Sequence, residues 1–181
     1  MTVGTWNLSK AKILERDEVA RILSFSKDIV RDYVFLVVAA NTALRVSEIC
    51  HLKAATSGPN GEIVAQRRKK ARLTDEPVPA TPEVVKLLHR WITFEAHLKS
   101  TDWLFPGDSR PHAITRRKKA ATVTIHNCPG GHLSIREIQR RWDSYLEKAV
   151  LSKAGRGIHT LRHYAITQFY LQHRDLRATQ V

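Results

Sequence analysis

The sequence predicts an α+β domain that is mainly α-helical, with one small antiparallel β-hairpin. Three observations carry this expectation. Apolar residues recur at helical spacing in separate stretches, most clearly from Val30 to Val38 and from Ile138 to Leu146. One pair of neighbouring segments reads as strand, "EIVAQRRKK" and "EPVPA". Apolar residues make up 43% of the 181 positions, enough for one domain with a core.

Residues 1–14 read as a lead-in. "ERDEVARILSFSK", from Glu15, opens with acids that suit the positive end of a helix and carries Val19, Ile22 and Leu23 at helical spacing. A second helix is expected from about Asp28 to Ala43. Val30, Tyr33, Val34, Val37 and Val38 repeat with helical period and their neighbours are apolar too, so this helix is expected to be buried nearly all round. Ser47 and Glu48 then start a short helix, and "TSGPNG" from Thr56 is turn chemistry. The two strands follow, joined by "ARLTD", as a basic hairpin. "TPEVVKLLHRWITFEAHLK" has a Thr N-cap, Pro at the first helical position and Glu after it. "DWLFPGDSRP" closes that unit, and residues 108–133 read as a charged, glycine-containing loop. A helix from Leu133 places Ile135, Ile138, Trp142, Tyr145 and Leu146 on one face, before "SKAGRG" breaks the chain.

Charge narrows the class of partner. Residues 1–60 hold eight basic and six acidic side chains, whereas residues 61–181 hold 22 and 11, within a net charge of +13. A basic surface of that size points to a polyanion, nucleic acid before anionic membrane. The longest apolar run, "YVFLVVAA" from Tyr33, is too short to span a bilayer, and no secretory signal pattern opens the sequence. With only Cys50 and Cys128 there is no disulfide framework, which fits a reducing, cytoplasmic setting, on the nucleoid if the source is bacterial.

Two short stretches carry phosphate-seeking chemistry. In "IHTLRHY", His159 and Arg162 lie three apart around the start of a helix that Thr160 is placed to cap. Free N–H groups at a helix N-terminus attract phosphate, and a guanidinium binds its oxygens bidentately. In "NTALRVSE", Arg45 follows the most buried helix, and an arginine in such a place is usually paired; Glu48 is the obvious partner. His126, Cys128 and His132 are ligand types, but no fourth partner stands at zinc-like spacing, so a loop is expected rather than a metal site. Arg116, Arg117, Lys118 and Lys119 could grip a nucleic-acid backbone.

Together these stretches resemble the tyrosine recombinases, the phage integrase family. That family shows a "TGLRxSE" box, a lysine on a β-hairpin and an "HxLRH" box. Here stand "NTALRVSE", with Ala43 where glycine is usual, "RRKKARLTDEPVPAT", and "HTLRH", in the family's order. The resemblance implies an integrase-like catalytic domain over residues 15–181 and DNA strand cleavage and rejoining in recombination or integration. It implies that Arg45 and Arg162 grip the scissile phosphate, that His159 hydrogen-bonds it, and that a hairpin lysine protonates the leaving oxygen. Lys70 suits that last role, with Lys69 second. Glu48 and His163 would support the site, and Arg67, Arg68, Lys69, Arg140 and Arg141 would add contacts to the DNA. No metal or cofactor is implied. Double-stranded DNA and other recombinase protomers are the implied partners. The family's "LGH" box and nucleophilic tyrosine would follow "RDLRATQV", so the resemblance implies a catalytic domain incomplete at its C-terminus. Tyr164 and Tyr170 read as packed aromatics rather than substitutes. The alternatives are a non-catalytic DNA-binding remnant of an integrase, and an RNA-binding or assembly protein whose boxes match by chance.

Overall fold

In a computed structural model the described residues are 13–56, 62–69, 72–107 and 131–173. Among these residues, six α-helices and one two-stranded sheet follow in the order α1 (Arg16–Ser26), α2 (Val30–Thr42), α3 (Val46–Cys50), β1 (Glu62–Lys69), β2 (Arg72–Pro79), α4 (Pro82–Arg90), α5 (Ile135–Lys148) and α6 (Thr160–His173). The mainly helical α+β expectation holds. The turn expected at "TSGPNG" and most of the 108–133 loop fall outside the described residues.

α1 starts where Glu18 reaches back to accept from the Glu15 backbone N–H at 2.9 Å, the reciprocal half of a capping box. Leu14, at the end of the lead-in, is already in the core. α2 is apolar nearly all round, with Val34, Phe35, Leu36 and Val38 buried, as its pattern requires. Phe35 meets Phe105 edge-on at 5.0 Å between ring centroids. α6 packs along α2.

The hairpin is longer than its sequence pattern indicates. Pairing runs from Glu62↔Pro79 to Lys69↔Arg72, so Arg72–Asp75 belong to β2 instead of to a joining loop. A two-residue connection is what a hairpin favours. Ile63, Ala65 and Val78 face the core while Val64 and Gln66 face out, and that alternation fixes the register. Pro77 and Pro79 fall within the strand expected at "EPVPA", because each strand of a two-stranded sheet is an edge, where proline is tolerated.

The helix expected from Pro82 to Lys99 changes form midway. After Arg90 it widens into a π-turn over Trp91–Glu95, where Ala96 N–H donates to Trp91 O at 2.9 Å. The Trp91 indole N–H donates to Leu104 O at 2.8 Å and holds that turn on the core. Residues 102–107 then run between two other segments. Leu104 N–H donates to Leu52 O at 2.8 Å, and Leu133 N–H to Phe105 O at 2.7 Å. The approach is close at Gly107, where a Cβ would stand 3.1 Å from the His132 carbonyl oxygen.

α5 is capped by Ser134, whose hydroxyl oxygen accepts from Glu137 N at 3.1 Å. Ile138, Trp142, Tyr145 and Leu146 are buried as expected, but Ile135 is 45% exposed. It is the first residue of the helix and lies beyond the reach of the core its stripe points to.

One carboxylate fastens α2 to α5. Asp32 is fully buried and accepts from Arg31 Nε at 3.3 Å, Arg141 Nη1 at 3.0 Å and the Tyr145 hydroxyl at 2.8 Å. Glu137 completes the group with contacts to Arg31 at 3.4 Å and Arg141 at 3.2 Å. A buried charge that loses its partners is strongly destabilising. Asp32→Ala, which leaves Arg31 and Arg141 without the fully buried one of the two carboxylates they share, should lower stability by about 3–5 kcal/mol. Tyr145→Phe should lower it by about 1–2 kcal/mol through one lost charge-assisted bond. Urea unfolding followed by circular dichroism measures both, and equal losses would show that the charge is not the main term.

Candidate functional site

Arg45 stands at the N-cap of α3 in extended backbone conformation. Glu48 holds it twice: one carboxylate oxygen accepts from the Arg45 backbone N–H at 2.7 Å, the other from its Nη1 at 3.0 Å. The carboxylate is nearly buried, 7% exposed, while the guanidinium side chain is 57% exposed. The expected Arg45–Glu48 pair is therefore present, with a rigid base and an outward-facing cation.

Arg162 lies on the first turn of α6, half-buried, and its Nη1 donates to the carbonyl oxygen of Ala43. Ala43 ends α2 in the left-handed region, φ 53° and ψ 16°. That turn separates its carbonyl from the α2 ladder and leaves it for Arg162. The two boxes thus meet, because Ala43 is two residues before Arg45. His159 is exposed and immediately precedes α6; its carbonyl accepts from Arg162 N–H at 3.1 Å. His163, beside Arg162, is exposed as well.

Thr160 does not cap the helix from outside. It is the first helical residue, and its hydroxyl donates back to Gly157 O at 2.7 Å. The turn before α6 is held by α5: the Trp142 indole donates to Arg156 O at 2.7 Å, and Gln139 Oε1 accepts from Ile158 N–H at 3.3 Å. Arg156 pairs with Glu18 at 3.0 Å, tying the same turn to α1. These ties were not visible in the sequence, although Gln139 and Trp142 share one helix face three residues apart.

The remaining basic positions divide. Arg141, expected on the DNA-facing surface, is turned inward onto Asp32 and Glu137, so its charge is already balanced. Arg140 is exposed. Arg67, Arg68 and Lys69 lie on the β1 backbone, at the end of the hairpin away from Glu62. Lys70 and Arg116–Lys119 lie outside the described residues, as do His126 and Cys128.

Nucleophile-type side chains are mostly unsuited to attack. Cys50 is buried, and loss of solvation, partly offset by its backbone hydrogen bond, pushes its thiol up to about 12. Tyr145 is buried with its hydroxyl on Asp32; desolvation and that carboxylate hold its phenol above the ordinary range. Tyr164 is half-buried and is also raised by burial, with Arg16 acting the other way. Tyr170, expected to be a packed aromatic, is instead exposed on the third turn of α6, on the side of the helix turned from the core. Among the described residues no group of three or more His, Cys, Asp and Glu could hold a metal ion, and no helix is long and apolar enough to cross a membrane.

The family model described as the phage integrase family matches residues 12–181. Tyrosine recombinase XerC of Myxococcus xanthus is 26% identical over 168 residues, covering 93% of this chain and 49% of that protein. Among solved structures, the XerA recombinase superposes with a TM-score of 0.69 at 24% identity, over 93% of this chain and 54% of that one. The integrase of the Tn1549 transposon, in complex with circular intermediate DNA, gives 0.67 at 19% identity, over 96% of this chain and 57% of that one. The chain spans about half the length of these relatives.

Ala43 offers a test of the joint between the boxes. A left-handed conformation costs alanine about 1–2 kcal/mol, while glycine adds about 0.5–1 kcal/mol of lost chain entropy. Ala43→Gly should therefore raise stability by about 0.5–1 kcal/mol, read as a higher urea midpoint at unchanged slope. A lower midpoint would show that the methyl group contributes packing that outweighs the backbone strain.

Proposed function

This chain belongs to the phage integrase family, and we propose that it acts in DNA strand cleavage and rejoining during site-specific recombination or integration. In this reading Arg45 and Arg162 bind the non-bridging oxygens of the scissile phosphate. Fixed guanidinium groups stabilise charge as it grows on a five-coordinate phosphorus, which needs no divalent ion. His159 hydrogen-bonds the same phosphate and assists proton movement. A tyrosine oxygen forms a bond to phosphorus as the bond to the 5′ oxygen breaks, and Lys70, with Lys69 as the second candidate, delivers a proton to that oxygen. Glu48 keeps Arg45 aimed outward, and His163 supports the Arg162 turn. Double-stranded DNA is the substrate, other recombinase protomers are the partners on it, and the cytoplasm is the setting.

The observation that carries this reading is the contact of Arg162 with Ala43 O, which joins the two arginine boxes. A surface cluster with no common task would not require one arginine to fasten on the turn that presents the other. Net charge supports the choice of partner, since a chain at +13 is drawn to a phosphate polymer.

The settings of the tyrosines favour a second reading for residues 1–181 on their own: DNA binding without covalent attachment. Tyr145 and Tyr164 are held in packing and Tyr33 is half-buried on α2. We therefore assign the nucleophile to none of these three, and Tyr170, exposed on α6, is the one left to test.

Two measurements test these readings. Affinity for duplex DNA should fall steeply as salt rises, and Arg45→Ala and Arg162→Ala should each weaken it about tenfold and each lower the salt slope by about one. Affinity indifferent to salt, or variants that bind as the unaltered chain does, would remove the phosphate-binding role. On a denaturing gel with a nicked, labelled suicide substrate, residues 1–181 should give no covalent adduct. An adduct that disappears with Tyr170→Phe would make that exposed residue the nucleophile.

A further inference from the structure

A second arrangement of titratable side chains lies away from the arginine boxes. His51 closes α3 and is exposed, and His132 sits on the segment that pairs with Pro106. Their ring centroids are 4.2 Å apart with a 45° tilt. Trp103 meets both edge-on, at 6.0 Å and 5.2 Å.

Hydrogen bonds fix the form of each ring. Nδ1 of His51 is 2.6 Å from Ser47 O, and Nδ1 of His132 is 2.9 Å from Leu133 O. A carbonyl oxygen only accepts, so each Nδ1 carries the hydrogen and donates it. In the neutral ring the lone pair is then on Nε2. Neither Nε2 has a hydrogen-bond partner among the described residues. Metal-bound histidines adopt this form, with one nitrogen on a carbonyl and the other on the ion.

The rings are close enough for one ion to reach both. With metal–nitrogen bonds of about 2.0–2.1 Å, imidazoles held at ~90° have centroids roughly 4.5 Å apart, and at the tetrahedral angle roughly 5.2 Å. The observed 4.2 Å is of the same order as these separations. Imidazole nitrogen is a good ligand for nickel(II), copper(II) and zinc. Charge works against any cation here, because Lys53 Nζ lies 3.1 Å from the Trp103 ring centroid. Affinity must come from the imidazole nitrogens and not from the local field.

We propose that His51 and His132 form a two-imidazole site for a divalent transition-metal ion, bound through both Nε2 atoms with water completing its coordination. The ion joins the end of α3 to the segment beside Pro106, and this site plays no part in the phosphate chemistry proposed above.

The test is titration of the full chain with nickel chloride at neutral pH, without DNA, by calorimetry and by thermal melting. One ion should bind per chain and raise the melting temperature, because it binds the folded juxtaposition and not the separated residues. His51→Gln and His132→Gln should each weaken binding roughly tenfold or more and remove the thermal shift. His89→Gln, an exposed histidine on α4, should leave both unchanged. Equal losses from His89→Gln, or unchanged binding in the other two variants, would mean adventitious binding only and would overturn the site. Should a variant fail to fold, carbon–proton spectra of the histidine rings in the unaltered chain decide the matter. Nickel should broaden the His51 and His132 signals first, and broadening that begins at other histidines overturns the assignment.

Discussion

Asp32 is a carboxylate placed where water does not reach, and the geometry of the site hangs on how it is answered. Arg31 comes from its own helix, while Arg141 and Tyr145 come from α5. Removing any of these leaves desolvated charge behind, so α2 and α5 are locked at one register. That register sets both halves of the site. α5 uses Trp142 and Gln139 to hold the turn at Arg156–Ile158, from which His159 and Arg162 project. α2 ends at Ala43, the residue Arg162 touches. The ionic group at one level of the core thus determines whether the two arginine boxes meet at another.

The helices were legible because their stripes are long and regular. Val19 and Ile22 on α1, and Ile138, Trp142, Tyr145 and Leu146 on α5, are buried as their spacing requires. What escaped the sequence was tertiary in origin. Nothing local says that Ile135 lies past the edge of the core. Nothing local says that Trp91 will anchor on Leu104 O and widen its helix into a π-turn. The sequence pattern foreshortens β2 because Asp75 is a poor strand former, and cross-strand pairing overrides it. Of the candidate site, the Arg45–Glu48 pair was readable from a three-residue spacing, whereas the Ala43 carbonyl as the meeting point was not, since backbone acceptors carry no sequence signature.

Arginines in this chain do two kinds of work, and composition alone does not separate them. Arg31, Arg141 and Arg156 are turned inward onto acids and carbonyls, with side chains 11%, 17% and 14% exposed. Their charge belongs to the core. Arg45 and Arg140 present theirs to solvent. The distinction between the neighbours Arg140 and Arg141 is one of helical phase. Arg141 lies three residues from Ile138 and four from Tyr145, on the buried stripe, whereas Arg140 is a hundred degrees round from it. A basic pair read as one patch therefore splits into one structural cation and one surface cation.

The link between α2 and α3 shows why the exposed cation stays in place. Only Ala43, Leu44 and Arg45 separate the two helices. Leu44 is buried in the core and pins the middle of the link. With that side chain inward, Ala43 takes the left-handed turn that ends α2, and Arg45 takes the extended conformation that begins α3. Adjacent side chains in extended backbone point to opposite sides, so Leu44 inside puts Arg45 outside. Glu48 then accepts from both the backbone and the guanidinium of Arg45, which removes the rotational freedom a long side chain keeps at a surface. An arginine held in this way has already lost the entropy that binding an anion would otherwise cost, and that loss is covered by folding instead of by the ligand.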